Sequence, residues 1–340
     1  IENDPFLWYN LVMDKIKIYL PEKIAEIIEK DTEAFEFFKR DGMALNKNAL
    51  LTALVLNYGE AYARERQKFA HIARSALKNA NVSDKEIDAL CERIAEAAYS
   101  RGGGGKFGAT VALKPTKQSE GAIEYIENYL LAGRSLSEYF RAMISSYASL
   151  PQDRREAIIF KPQYEAVLRA IESKKRVFIT TVRSGEKGFE LSPYAIASSK
   201  EELHLYVIGM RGATTTVRLS RISGVKLLDA EARFTEKQVK TAEKMIKYGP
   251  QFFYGANEEE ACVKLTGRGM EKFKKIYVHR PIPDRREGNL MWFKCSHIQL
   301  EQYFIRFGAD AEVLYPESVR NEMHTFHSSA AKVYEKRQLI

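Results

Sequence analysis

Long hydrophobic runs are missing from this 340-residue chain. The longest strongly apolar stretch, Ala49 to Leu56, is broken by Thr52 and falls far short of a membrane-spanning helix. Cysteine is scarce too. Cys91, Cys262 and Cys295 are odd in number and far apart, which excludes a disulfide framework and a C-x-x-C zinc pattern and points to a reducing, cytoplasmic setting. Ile1 is followed by Glu2 and Asp4, so the basic head of a signal peptide is absent; without an initiator Met the chain reads as trimmed. Neither sign of charge dominates. The 53 Lys+Arg against 45 Asp+Glu give a formal net charge of +8, an excess that favours polyanionic partners only where it is clustered. What is present is an ordinary hydrophobic share of 45%, enough to rule out wholesale disorder in a chain long enough for two or three domains.

Enzyme signatures are equally thin. Gly103, Gly105 and Gly108 match G-x-G-x-x-G, but the motif follows a helical segment and precedes a strand, the reverse of a dinucleotide site. Gly105-Lys106 is followed by Phe107, so no P-loop is formed. Cys295, His297, His324 and His327 lack the spacing of a metal-ligand set. A non-enzymatic protein without cofactor or metal is expected.

Periodicity divides the chain. Ile16, Ile18 and Leu20 alternate with Lys15, Lys17 and Tyr19 as in a half-buried strand, and Pro21 closes it. Helical spacing follows from Glu22 to Phe38 and again from about Asn48. Ser83-Asp84-Lys85-Glu86 reads as a capping box for a further helix, and Gly102 to Gly105 as a break. Thr110 to Pro115 is a second alternating strand; Ile123, Ile126 and Leu130 mark another helix, and Ser135 to Glu138 caps the next. Strand, Pro, helix, Gly break and helix thus occur twice. A lone short strand needs a partner for its backbone groups, so the two copies are expected to pair within one chain. This order resembles the ribbon-helix-helix family, in which two such units join their strands into one ribbon over four helices.

Residues 177–229 change character. Val177 to Val182, Phe189 to Ile196, Leu203 to Met210, Thr214 to Leu219 and Val225 to Leu228 read as five short strands with tight turns, which suggests a small closed barrel. The last segment alternates strand and helix from Ala261 to about Lys336, an α+β layer.

Three pieces of this sequence resemble the WYL family. They are Ser192-Pro193-Tyr194-Ala195-Ile196, Leu203 to Gly209, and Val217-Arg218-Leu219-Ser220-Arg221-Ile222. The naming Trp-Tyr-Leu run falls at Leu205-Tyr206-Val207, of which the Tyr is kept. Phe307 to Pro316 is similar to the extension that commonly follows WYL domains. The resemblance implies a five-stranded Sm-like (SH3-type) barrel that senses ligands and binds single-stranded nucleic acid. A ribbon-helix-helix unit, a WYL domain and an extension in one chain resemble the accessory proteins of type VI-D CRISPR systems, which bind single-stranded RNA and stimulate an RNA-guided, RNA-cleaving effector nuclease. The fold class expected is therefore α+β and multidomain. It comprises a ribbon-helix-helix-like helical domain over 1–155 (half-units about 14–70 and 109–150), a helical linker over 156–176, the WYL barrel over 177–230, a connecting helix over 231–255 and the extension over 256–340. A cytoplasmic homodimer joined through the extension is expected by analogy, with no membrane partner.

On such a barrel Arg183, Lys187, Arg211, Arg218 and Arg221 are candidates to converge on one rim and bind phosphate, because the guanidinium fork suits phosphate and stacks on bases. Tyr194 and Tyr206 offer stacking faces, and Ser192 and His204 offer hydrogen bonds to bases or the 2′-OH. Each has a plainer reading: Tyr206 as core, His204 as a solvated strand histidine, Arg218 and Arg221 as surface charges paired with Glu190 or Asp229. The barrel carries only seven Lys+Arg against five Asp+Glu, whereas Val263 to Gly288 carries eight against three, either an extended phosphate track or a solvated face. The competing reading of the whole chain is a DNA-binding transcriptional regulator with a WYL sensor. Its ribbon would expose Lys15, Lys17 and Tyr19 beside Thr110, Ala112 and Lys114, too asymmetric for a palindromic site.

Overall fold

The computed structural model describes residues 14–39, 42–77, 83–99, 107–182, 187–199, 203–251 and 260–335. The Gly-rich break at 102–105 and Arg183 lie outside the described residues. Across the described residues the chain forms eleven α-helices and three antiparallel sheets, divided into two compact units, Ile1–Tyr164 and Glu165–Ile340.

In the first unit, β1 (Ile16–Pro21) pairs antiparallel with β2 (Phe107–Leu113), Ile18 opposite Val111 and Ile16 opposite Leu113. The alternation puts Ile18, Leu20 and Leu113 in the core and leaves Lys17, Tyr19, Thr110 and Ala112 outward. Helices α1 (Glu22–Ala34), α2 (Lys47–Leu77), α3 (Asp84–Tyr99), α4 (Glu120–Tyr129), α5 (Leu136–Ala148) and α6 (Gln152–Ile159) complete the unit. Ser135 and Glu138 form the reciprocal capping box that starts α5. The helix expected through Phe38 stops four residues early, at Ala34. Glu36 adopts a positive φ, and the rings of Phe35 and Phe37 pack on Phe160 at 6.0 and 5.8 Å, so aromatic packing overrides the helical period.

The helices are laced crosswise to the ribbon. Asn48, in the first turn of α2, donates to the Lys114 carbonyl (3.1 Å) and accepts from the Lys114 N–H (2.7 Å) just beyond β2. Ser137 and Arg141 of α5 donate to the Lys17 and Tyr19 carbonyls of β1, at 2.8 and 3.0 Å. Each half of the unit thus satisfies backbone groups on the strand of the other. Asp31, 1% exposed, is gripped by Nε and Nη2 of Arg155 (2.7 and 2.8 Å) and by the Tyr147 hydroxyl (2.7 Å). Burial, and then Asp31, hold the Tyr147 hydroxyl well above the usual phenol range.

Helix α7 (Lys161–Glu172) leads into the second unit. There β3 (Lys175–Thr181), β4 (Phe189–Ser198), β5 (Leu205–Arg211), β6 (Ala213–Arg218) and β7 (Ile222–Glu231) form one antiparallel sheet in the order β6-β5-β4-β3-β7. The five strands fall near the expected positions, but hydrogen-bonded closure does not follow: β6 and β7 are the two outer strands, with no ladder between them among the described residues. A 3-10 turn over Leu219–Arg221 interrupts the extended chain, and β7 returns to β3. A backbone bond from the Val182 N–H to the Arg221 carbonyl, 3.0 Å, ties that turn to the end of β3. Helix α8 (Glu236–Tyr248) covers one face of β4 to β6, setting Ala242 and Met245 against Ala197, Ile208 and Met210. Gly209 is required where β5 meets β4, because a Cβ there would lie 2.7 Å from the Ser192 carbonyl oxygen and from the Leu191 side chain.

The remaining elements are β8 (Ala261–Leu265), α9 (Gly267–Lys275), β9 (Pro283–Glu287), β10 (Leu290–Phe293), α10 (His297–Phe304), β11 (Ala311–Tyr315) and α11 (Glu317–Glu335). Their sheet runs β11-β8-β10-β9, the order of a split β-α-β-β-α-β arrangement. Val263, Met291, Phe293 and Val313 meet Leu300, Tyr303, Phe304 and Val319 on one face. Strand β9 escapes the sequence reading because all five of its residues are exposed, leaving no alternation to detect.

Candidate nucleic-acid interface

The β5–β6 register decides which expected residues can act together. Tyr206 lies opposite Arg218, and Arg211 lies opposite Ala213 at the other end of the same ladder. The two ends are five residues apart, roughly 17 Å at the usual rise per residue. The single rim expected for the cations therefore becomes two groups.

At one end stand His204, Tyr206 and Arg218. Leu203, with a positive φ, turns the chain so that His204 enters the fold, and the Ser199 N–H fixes it by donating to the His204 carbonyl at 2.8 Å. His204, a candidate contact, is buried, so the plainer reading of a solvated strand histidine does not hold. One Arg218 nitrogen, Nη2, lies 2.6 Å from Nε2 and 3.1 Å from Nδ1 of its ring, and donates to whichever carries no proton. Cross-strand pairing places the half-buried Tyr206 on the same face as Arg218. An aromatic face, an imidazole and a guanidinium held by it thus meet in one place. Arg221 is not at a strand end but closes the 3-10 turn.

At the other end Arg211 and Ser192 line a cavity of about 500 Å³ with Arg176, Phe189, Arg233 and Gln238. The Arg211 guanidinium lies 4.7 Å over the Phe189 ring. Glu190, one expected partner of Arg218 or Arg221, pairs with Arg176 instead at 2.8 Å. The Gln238 amide donates to the Gly212 carbonyl at 2.9 Å, fixing the β5–β6 turn beside the cavity. Lys187 is exposed just before β4. Tyr194 is half-buried, and its ring meets Phe234 edge to face at 5.4 Å in the packing beneath α8. Arg176, Phe189, Arg233 and Gln238 were absent from the sequence-derived set. Their convergence depends on pairing between β3 and β4 and on the docking of α8, which leave no local signal.

The basic segment Val263 to Gly288 is spread over α9, a loop and β9. Arg268 and Lys272 both pair with Asp310 at 2.7 Å, and these contacts hold the Asp310 carboxyl well below the usual carboxylate range. Part of the segment is thus neutralised internally. Among the described residues no group of His, Cys, Asp or Glu is placed to hold a metal ion, and no helix is long and apolar enough to cross a membrane.

No protein-family model and no curated protein matches this sequence. A solved structure described as the crystal structure of a CRISPR Cas-related protein does match. It covers 100% of this chain and 98% of its own, with a TM-score of 0.65 at 20% identity. The likeness is one of fold. It runs from end to end, so the order of parts is shared as well as any single unit. Proteasome accessory factor B/C (PafBC) of Arthrobacter aurescens aligns over 98% of this chain and 52% of its own at 13% identity, but its TM-score of 0.24 carries no argument.

Proposed function

We propose that this chain is a non-enzymatic accessory protein of a CRISPR system, binding single-stranded RNA and stimulating an RNA-guided, RNA-cleaving type VI effector nuclease. The observation that carries the reading is the end-to-end likeness in fold to a CRISPR Cas-related protein. In this reading the first unit is a ribbon-helix-helix pseudo-dimer, and the five-stranded sheet with its 3-10 turn is a WYL domain of Sm-like type. The last sheet is its extension, through which the protein forms a cytoplasmic homodimer. His204, Tyr206 and Arg218 receive RNA: the tyrosine stacks on a base, the guanidinium engages phosphate, and the histidine holds the guanidinium in place.

The test is fluorescence anisotropy of labelled single-stranded RNA and duplex DNA at near-physiological salt, with effector cleavage assayed in parallel. Preferential RNA binding together with faster cleavage is expected. A second reading, a DNA-binding regulator, draws on the exposed Lys17 and Tyr19 of the ribbon. Preference for duplex DNA, lost in Lys17→Ala and indifferent to Arg218→Ala, would establish that reading and overturn the first.

A further inference from the structure

The four-stranded sheet has two faces, and its helices use only one. Residues of α9, α10 and α11 pack on Ala261, Val263, Leu265, Met291, Phe293 and Val313. Strand alternation sends the intervening side chains to the other face, where Cys262, paired with Trp292, is buried while Lys264, Arg285 and Glu287 are exposed. On that face Trp292 of β10, a central strand, lies directly opposite Arg285 of β9, whose guanidinium sits 4.2 Å over the indole. Trp292 is half-buried and Arg285 is exposed. A tryptophan on a central strand of an open four-stranded sheet is the arrangement by which such sheets stack single-stranded bases. The guanidinium widens the flat surface; with Glu260 and Glu287 each 3.9 Å away, it contributes a stacking plane more than a free charge.

A second feature adjoins this surface. Two residues beyond Trp292 on the same side, Lys294 enters a cavity of about 460 Å³ with Glu260 at the start of β8. Its far wall is α8, which contributes Lys240, Lys244 and Lys247 at helical spacing on the side away from the buried Ala242 and Met245. Like charges along one helix stripe oppose one another. Lys240 is relieved by Glu236 (2.6 Å) and Lys294 by Asp284 (2.8 Å), while Lys247 lies 4.9 Å from the Tyr248 ring. Four ammonium groups line the cavity with Glu243 and Glu260, and once Glu236 and Asp284 are counted the lysine stripe is matched in number by carboxylates around it.

We propose that the open face around Trp292 and the lysine cavity beside it form a second single-stranded RNA platform. It is separate from the His204–Tyr206–Arg218 group, with a base stacked on the Trp292–Arg285 pair and the adjoining phosphates held by Lys244, Lys247 and Lys294. This rests on the reading of the protein as an RNA binder. It gives a strand two points of attachment in one unit, and the effective concentration of the second raises affinity beyond either alone.

The chain has two tryptophans, Trp8 and Trp292. Trp8→Phe therefore makes Trp292 the sole indole reporter in the full-length protein. Titration with an unlabelled oligouridylate is expected to quench its emission with the midpoint found by anisotropy of the same RNA carrying a label. Lys244→Gln with Lys247→Gln is expected to weaken binding about tenfold and to flatten the slope of log affinity against log salt by about 1.4. RNA binding by anisotropy with Trp292 emission and the salt slope both unmoved would overturn this platform and leave the proposed function standing. No RNA binding by the unaltered protein would overturn the proposed function itself, and this platform with it.

Discussion

Arg155 in the first unit and Arg285 in the second put the same side chain to different uses. In the first, Arg155 is 12% exposed and spends its fork on Asp31, with the Tyr147 hydroxyl bonded to the same carboxylate. In the second, Arg211, Arg280 and Arg285 lie over the rings of Phe189, Tyr277 and Trp292 at 4.7, 4.6 and 4.2 Å. A guanidinium stacked on a ring still bonds through its edges, as where Arg280 donates to the Phe273 carbonyl at 3.3 Å and Arg285 lies 3.9 Å from Glu260 and Glu287, whereas one clamped by a buried carboxylate has little left to offer. Residue type is the same; what differs is burial, since Arg155 is closed in on its carboxylate whereas Arg285 lies exposed on its ring. Internally completed charge is not confined to the first unit, since Arg268 and Lys272 both close on Asp310 in the second; the exposed, ring-stacked Arg285 is what stands in contrast to Arg155.

The sharpest way to break that contrast is Asp31→Ala. It leaves Arg155 buried without its counter-ion and should cost about 3–5 kcal/mol of stability, read as a lower urea midpoint, with RNA affinity of the folded fraction unchanged. An unaltered midpoint would remove the structural role assigned to this pair. Gly209→Ala forces β5 away from β4 and should destabilise the second unit by about 1–3 kcal/mol. The first unit then serves as an internal standard, monitored by hydrogen exchange. Arg218→Ala should leave the melting temperature nearly unchanged while weakening RNA binding about tenfold, near 1.4 kcal/mol. A large loss of stability with affinity intact would move Arg218 into the structural class.

The smallest effect concerns carboxylates. Burial, followed by the hydrogen bond with Glu322, raises Glu301 of α10 from its ordinary 4.5 to about 7. The folded state then holds the proton more tightly than the unfolded chain. The contribution is complete below about 4.5 and is lost as pH rises through about 7. Melting temperatures compared between the wild type and Glu301→Gln should diverge across that window, the variant showing the flatter curve. Parallel curves would remove the coupling between α10 and α11.

Much of the architecture was legible because local patterns carried it. The alternation of Ile16, Ile18 and Leu20, the Ser135–Glu138 box and the helical spacing of α8 each belong to a few consecutive residues. What could not be read depends on distant pairing. Strand β9 has no apolar residue facing a core, so nothing marks it before Trp292 and Met291 give it a partner. Tyr194 looked like a stacking face until a β4 irregularity between Pro193 and Ala195 and the position of Phe234 turned it inward. Among the cations, local sequence supplied Arg211 and Arg218 but not the register that sets them at opposite ends of one ladder, nor the companions Arg176 and Arg233.

The crosswise bonds of Asn48 to Lys114 and of Ser137 to Lys17 have a thermodynamic consequence. Because both strands of the ribbon belong to one polypeptide, its assembly is a first-order event. Dilution, which dissolves a ribbon built from two chains, leaves this one intact, and its folding equilibrium carries no concentration term. Freed from the requirement that one sequence serve both sides of a symmetry axis, the two outward strands need not match, and Lys17 and Tyr19 stand opposite Ala112 and Thr110.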